Sequence, residues 1–300
     1  SQRLVEFYLN SISLRPWVSG MAQPKLNQTK LNSIPIPFPP LAEQTRIVAI
    51  LDEAFGAIAK AKENAERNLA NAKELFESYL NRVFTEKGEG WQEKTLLELV
   101  TEDCPISYGI VQPGGDVVDG LPVVRPVDFS KPVVDLDGVK QIDPMKAEAY
   151  QRTVLQGGEL LLCVRGTTGK IATASSVLKG ANVTRGIVPI RFNTQVLLNA
   201  FGLLAMKSQV VQKQIRDHTT GTALKQINIR ELRKITLPYP PLSQQAVISK
   251  MLDSIFEGSS ELERFSQQKL ADLDELKQSI LQKAFTGQLT SKSPELEAVG

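Results

Sequence analysis

Cysteine, histidine and net charge are all scarce in this sequence, and each scarcity removes a class of function. Only Cys104 and Cys163 occur in 300 residues. Two cysteines cannot form a disulfide framework in a chain this long, and no zinc-type Cys/His spacing is present. The plain expectation is a reduced, cytoplasmic protein. Cys163 lies in the apolar run Leu160-Leu161-Leu162-Cys163-Val164 and reads as core filler. His218 is the sole histidine and has no ligand pattern around it. No metal site and no catalytic residue are therefore assigned, since no nucleophile, base and orienting carboxylate can be grouped. Lys plus Arg number 35 against 33 Asp plus Glu, a net charge of +2. Bulk charge gives no reason to expect nucleic acid, so any basic groups that bind it must be arranged locally. No apolar run approaches the ~18 residues of a membrane span. The opening Ser1-Gln2-Arg3-Leu4-Val5 resembles neither a signal peptide nor a natural N-terminus, and predicts a fragment or an unusual boundary.

What is present is an ordinary globular composition, 42% hydrophobic and 23% charged, and an internal repeat. Residues 20–85 answer residues 221–286 without a gap. Pro37-Phe38-Pro39-Pro40-Leu41 matches Pro238-Tyr239-Pro240-Pro241-Leu242, Gln44 matches Gln245, and Phe84-Thr85 matches Phe285-Thr286. Each copy has the same physical grammar. An apolar extended segment, Ile34-Pro35-Ile36-Pro37 or Ile235-Thr236-Leu237-Pro238, runs into a diproline. Proline removes donors and biases its neighbour away from helix, so both segments are expected as short edge strands or polyproline-like stretches.

A helix is expected to follow at once in each copy. Leu51, Phe55, Leu69, Phe76 and Leu80 recur at helical spacing in the first copy. Leu252, Phe256, Leu262, Leu276 and Ile280 do so in the second. About 35 residues per helix, roughly 50 Å, predicts an antiparallel coiled-coil pair. The competing expectation is a break near Gly56 or near Gly258-Ser259-Ser260. The pair would act as a spacer, and its leftover apolar surface as a partner site.

The region between the helices is rich in short Val/Ile/Leu runs separated by Gly and Pro, with a helical stretch from Leu197 to Arg216. The expected class is α+β: a mixed domain with a twisted, mainly antiparallel sheet, plus the long spacer helices. The expected layout is a domain tail and junction over 1–41, a helix over 42–86, a complete domain over 87–241, a second helix over 242–287 and a flexible tail over 288–300. Polar loops supply the candidate site. Arg165-Gly166-Thr167-Thr168-Gly169-Lys170 sets cations and hydroxyls beside glycines. Arginine and lysine suit phosphates or guanine edges, and threonine suits phosphate. The loop lacks the spacing of a Walker nucleotide loop. Arg185 and the pair Lys225-Gln226 stand in further polar segments, and Tyr108 faces either a base or the core. Arg125 is either a DNA contact or a partner of Asp128.

Taken as a set, these parts resemble the specificity subunit (HsdS) of type I restriction-modification systems. The resemblance is carried by Pro39 to Gln44 and Pro240 to Gln245, by Asn27 with Leu31 and Asn228 with Leu232, and by the long helix after each. Tyr108-Gly109, Gly157-Gly158-Glu159-Leu160 and the Arg165-Gly166 loop add to it, with Glu159 where the family usually has aspartate. It implies a non-catalytic DNA-reading subunit whose recognition domain binds half of a split target. It also implies docked methyltransferase subunits using S-adenosylmethionine and a restriction subunit using ATP with Mg2+. No methyl-transfer motif is found, since Tyr239-Pro240-Pro241 lacks the preceding asparagine. One recognition domain reads as complete. Before it, Phe7-Tyr8-Leu9-Asn10-Ser11 answers Leu203-Leu204-Ala205-Met206-Lys207 as the tail of another. Half-size forms of the family can pair, so self-association is expected. The competing classes are a coiled-coil protein scaffold and an enzyme with an unrecognised site.

Overall fold

A computed structural model describes residues 1–20 and 24–290. Most of the expected tail, residues 291–300, lies outside the described residues. In chain order the elements are α1 (Gln2–Ser11), α2 (Gln28–Asn32), α3 (Leu41–Glu86), β1 (Gln92–Thr95), α4 (Leu96–Leu99), β2 (Leu121–Val124), β3 (Val133–Val134) and β4 (Lys140–Ile142). There follow β5 (Leu160–Cys163), β6 (Ile171–Ala174), β7 (Asn182–Val183), β8 (Ile187–Ile190), α5 (Asn199–Lys207) and α6 (Gln209–Asp217). The chain closes with β9 (Thr219–Thr220), β10 (Gln226–Ile227), α7 (Ile229–Leu232), β11 (Thr236–Tyr239) and α8 (Leu242–Phe285). The α+β class expected from the sequence is the class observed. The chain divides into two compact units, residues 1–74 with the chain from 258 onward, and residues 75–257.

Each long helix runs past the roughly 35 residues suggested by helical spacing. The helix α3 has 46 residues and α8 has 44, and neither breaks at Gly56 or Gly258. Along each helix one series of buried positions recurs every seven residues: Gln44, Leu51, Ile58, Ala65 and Ala72 on α3, and Gln245, Leu252, Ser259 and Ser266 on α8. A seven-residue period underwinds the helix and defines a coiled-coil seam. In the first unit Lys277 lies over the Phe55 ring at 5.2 Å and Lys62 pairs with Asp274. In the second, Phe76 meets Phe256 edge-on at 5.1 Å. Partner numbers fall as α3 numbers rise, so the pairing is antiparallel. The seam is not the stripe of large residues that the sequence suggests. Leu51, Leu80 and Leu252 are buried, Phe55, Leu69, Phe76 and Ile280 are half-buried, and Phe256, Leu262 and Leu276 are exposed. The seam includes the small residues Ala65, Ala72, Ser259 and Ser266, and the spacing of packed helices depends on the side chains at their contact.

Each unit builds the same local joint. In the second unit the buried Gln245 side chain donates to the Pro240 carbonyl and accepts from the Leu198 amide at 2.8 Å, where α5 begins. In the first, buried Gln44 donates to the Pro39 carbonyl at 2.9 Å and accepts from the Ser1 amine, where α1 begins. Ser11 and Ser208 then donate to the carbonyls of Tyr8 and Ala205, both at 2.7 Å. These bonds equate Ser1 with Leu198 and Tyr8 with Ala205, one residue away from the alignment read in the sequence.

The second unit holds the sheets. Strand order is β3-β6-β5-β8 in one, β4-β2-β7 in another, with β1-β11 and β9-β10 as separate pairs. Pairing is antiparallel except between β2 and β7 and between β3 and β6. One buried cluster joins β5, β8, α4, α5 and α6 to Leu80, Phe84 and Leu252 of the long helices. A second fills the opposite face of β5 through Leu161 and Cys163, with Val124, Phe129 and Leu178. Burial pushes the Cys104 thiol up to about 11 and raises that of Cys163, so both stay protonated at neutral pH. The helical stretch expected from Leu197 to Arg216 is formed by two helices that meet at Ser208, the C-terminal boundary of α5 and the N-terminal boundary of α6.

The two copies differ in the segment that runs into the diproline. Residues 236–239 form an edge strand against β1, but residues 34–38 form no strand. The local sequence is suitable in both copies. A ladder needs a partner, and none lies beside residues 34–38 among the described residues.

Candidate nucleic-acid interface

Antiparallel pairing of β5 with β8 sets Cys163 opposite Ile187. The chain leaving β5 at Arg165 and the chain entering β8 at Arg185 thus emerge at the same end of the sheet. The turn from β5 to β6 closes through Cys163 N–H to the Lys170 carbonyl and Gly169 N–H to the Cys163 carbonyl, both 2.9 Å. Gly169 has φ +91° there, a left-handed conformation that side chains other than glycine resist.

Other loops are tied to this end by backbone bonds. Arg165 bridges Gln226, Val164 N–H donates to the Gly186 carbonyl at 2.8 Å, and Ile227 N–H donates to Val164 at 3.0 Å. The Lys225 carbonyl accepts from Gly166 N–H at 2.8 Å and from the Thr168 hydroxyl at 3.1 Å. Arg185 N–H donates to Ile110 at 2.9 Å. Gly109 brings that segment in, since a Cβ there would stand 2.1 Å from the Val183 carbonyl oxygen. The Tyr108 hydroxyl accepts from Ile229 N–H at 3.3 Å while its ring stays partly exposed. Sequence-distant candidates Tyr108, Arg165, Thr167, Thr168, Lys170, Arg185, Lys225 and Gln226 therefore share one cluster of loops.

The electrostatics separate the candidates. Lys170, Arg185 and Lys225 are exposed and Arg165 is half-buried. Among the described residues none of these four has a carboxylate within 4.0 Å. Arg125 differs. Its guanidinium binds Asp128 at 2.8 Å and the Gly138 carbonyl at 3.3 Å, and Asp128 holds it above its ordinary range. Of the two roles read from the sequence, the geometry is that of the Asp128 partner. Arg191 is likewise committed. It reaches Asp103 at 2.6 Å and the buried Glu159 at 2.5 Å, while Glu159 also accepts from the amides of Gln156 and Gly157. Arg230 was not singled out by sequence. It is exposed, has no ion pair among the described residues, and follows the Ile229 that binds Tyr108. Its position in a short helix gave no signal. His218 contacts Glu231 at 3.9 Å and the Gln214 carbonyl at 2.8 Å.

A cluster of unpaired cations with hydroxyl, amide and aromatic groups on well-tied loops suits a phosphate backbone and base edges. Comparison with known proteins decides the family. The family model described as "Type I restriction modification DNA specificity domain" matches residues 6–67 and 89–272. The chain belongs to this specificity family. The type I restriction enzyme EcoBI specificity subunit of Escherichia coli is 25% identical over 307 residues, covering 95% of this chain and 64% of its own length. The putative MjaX specificity subunit of Methanocaldococcus jannaschii is 25% identical over 282 residues, covering 90% and 63%. The chain thus spans less than two thirds of these curated relatives. Among solved structures, a chain from a study of complex assembly and conformational transition of the type I R-M system matches with TM-score 0.70 and 23% identity over 96% of this chain and 69% of that one. The HsdS subunit of Thermoanaerobacter tengcongensis matches with TM-score 0.59 and 22% identity, over 95% and 68%. Both establish the fold of the family for this chain.

Proposed function

We propose that this chain reads one half of a bipartite DNA target and performs no chemistry itself. The observation that carries the reading is the convergence of Arg165, Lys170, Arg185 and Lys225 on one loop cluster, without carboxylate partners among the described residues. Unpaired cations held by tied backbone are pre-organised for phosphate and for guanine. Tyr108, Thr167, Thr168 and Gln226 supply the neighbouring polar and aromatic contacts, and Arg230 joins them. Arg125, with its fork already filled, ranks below the others. Membership in the specificity family supports this over a plain protein scaffold.

Methylation and cleavage then belong to partner subunits, which would bring S-adenosylmethionine, and ATP with Mg2+. The exposed Leu262, Phe265 and Leu276 on α8 are the surface offered to the methyltransferase subunit. The test is selection of duplexes from a randomised pool by the chain bound to its methyltransferase subunit. A fixed sequence block is expected to emerge. Arg165→Ala is expected to lose about 1–3 kcal/mol of preference for one base pair of it. Lys225→Ala is expected to weaken all duplexes and reduce the salt slope by about one. Recovery of no common sequence, with salt dependence unmoved by either variant, overturns the reading. A palindromic block would identify two copies of this chain acting as a pair.

A further inference from the structure

Gly186, between Arg185 and the start of β8, is a point of close approach. A Cβ there would lie 2.9 Å from Pro126 Cγ and 3.9 Å from Arg165 Cβ. The turn that follows β2 is thereby packed against the loop cluster, beside Arg165 and Arg185. Strand register carries it there. Parallel pairing sets Val124 opposite Val183, and Thr184 N–H donates to the Val124 carbonyl at 2.9 Å. Residues 125–128 therefore leave β2 at the end of the sheet where Arg185 leaves β7.

This turn is clamped on several sides. Pro126 has a ring-fixed φ and rests on Gly186. Asp128 N–H donates to the Arg125 carbonyl at 3.0 Å. The Asp128 carboxylate accepts from the Arg125 amide at 2.7 Å and from its guanidinium at 2.8 Å. The same guanidinium donates to the Gly138 carbonyl at 3.3 Å. Phe129 is buried in the cluster that also holds Val124. Within residues 125–129 only Val127 is mainly exposed, at 75%. A lone exposed valine on an ordinary surface needs no explanation. This one tops a turn braced by an ion pair, a proline and a core phenylalanine, and it stands beside two arginines suited to DNA. An apolar side chain offers nothing to a phosphate. In the major groove its match is the C5-methyl group of thymine.

We propose that Val127 reads a thymine through its C5-methyl group, and that Arg125 and Asp128 are positioning residues that hold it in place. The inference rests on the DNA-reading function proposed above, and adds to it one base and the residue that recognises it. It also gives Arg125 a task that its filled fork can perform without touching DNA.

The test starts from the sequence block selected by the chain bound to its methyltransferase subunit. Each thymine of the block, on both strands, is replaced in turn by uracil, which removes the C5-methyl and keeps the hydrogen-bonding edge. One such replacement is expected to weaken binding about fourfold, as for one buried carbon. The Val127→Ala chain, altered only at an exposed side chain, is expected to bind the thymine and uracil duplexes alike. Arg125→Gln is expected to lose the same discrimination and leave the salt slope unmoved, because the guanidinium meets Asp128 and not phosphate. A reduced slope would make Arg125 a phosphate contact and overturn its positioning role. A selected block in which every thymine tolerates uracil, or one without an A·T pair, overturns the inference and leaves the DNA-reading function standing. Discrimination that survives Val127→Ala also overturns it. So does a loss of methyltransferase-subunit binding by Val127→Ala in the absence of DNA, which would give the valine to that protein contact. Failure to select any block removes the DNA-reading function, and the inference with it.

Discussion

The two copies of the repeat share their joints and differ in their cladding. Asn27 and Asn228 both cap a short helix, accepting from Lys30 and Arg230 amides at 2.9 Å. Leu51 and Leu252 are both fully buried in equivalent places on the long helices. Yet Leu232 and Tyr239 are sealed by β1 and α4, whereas Leu31 and Phe38 face solvent. Local sequence thus sets backbone path and caps in both copies. Burial, and with it most of the stabilisation, comes only where another part of the chain arrives. Equivalent residues should then have unequal energetic weight.

The largest expected effect tests that inequality. Leu232→Ala should cost about 2–5 kcal/mol, because it empties a filled core site. Leu31→Ala should stay within about 0.5 kcal/mol, as for a surface change. The chain has two tryptophans, and Trp91 packs against Phe84 and Phe201 inside the second unit. In a Trp17→Phe background, Trp91 fluorescence during urea unfolding reports on that unit for Leu232→Ala. For Leu31→Ala, Trp17 in a Trp91→Phe background reports on the first unit. Equal losses would mean that the first copy is as well covered as the second.

A middle-sized effect tests what the copies share. Removing a buried side chain that satisfies backbone groups leaves them unpaired, at about 1–3 kcal/mol. Gln245→Ala should fall in that range, since Gln245 serves the Leu198 amide and the carbonyls of Val196 and Pro240. Gln44→Ala should be somewhat smaller, because its donor is the Ser1 amine and it has one carbonyl fewer. The same fluorescence measurement, with Trp17 reporting on the first unit, checks both. No loss for Gln44→Ala would show that the shared joint is a likeness of geometry without energetic content.

Legibility followed the range of the interactions. The repeat and the long helices were readable because an ungapped match and helical spacing are local properties. At the seam side-chain size is a poor guide to burial. Ala65, Ser259 and Ser266 lie inside while Leu262 lies outside, a division set by the partner helix that no single helix reveals. The loop residues were individually nameable as cations and hydroxyls. Their convergence depends on the β5–β8 register and on the Arg165–Gln226 bridge, which join residues far apart in sequence. The role of Arg125 turned on Asp128 and on the Gly138 carbonyl, and only the first was near enough in sequence to be weighed.

The smallest expected effect uses one copy as the control for the other. Gly56 lies within α3 and Gly258 within α8, and a Cβ at either would meet nothing within 4 Å. Each glycine has a residue with a side chain at its counterpart: Glu257 answers Gly56, and Ala57 answers Gly258. The repeat therefore already accepts a Cβ at both positions. Glycine in a helix interior costs about 0.5–1 kcal/mol relative to alanine, through the extra freedom lost on folding. Gly56→Ala and Gly258→Ala should each stabilise by that amount, and the double variant by nearly the sum if the sites are independent. Helical ellipticity during thermal unfolding measures it. Destabilisation by Gly258→Ala alone would mean that the outer surface of α8 needs a bare backbone there, and would separate the two helices in function where their sequences make them alike.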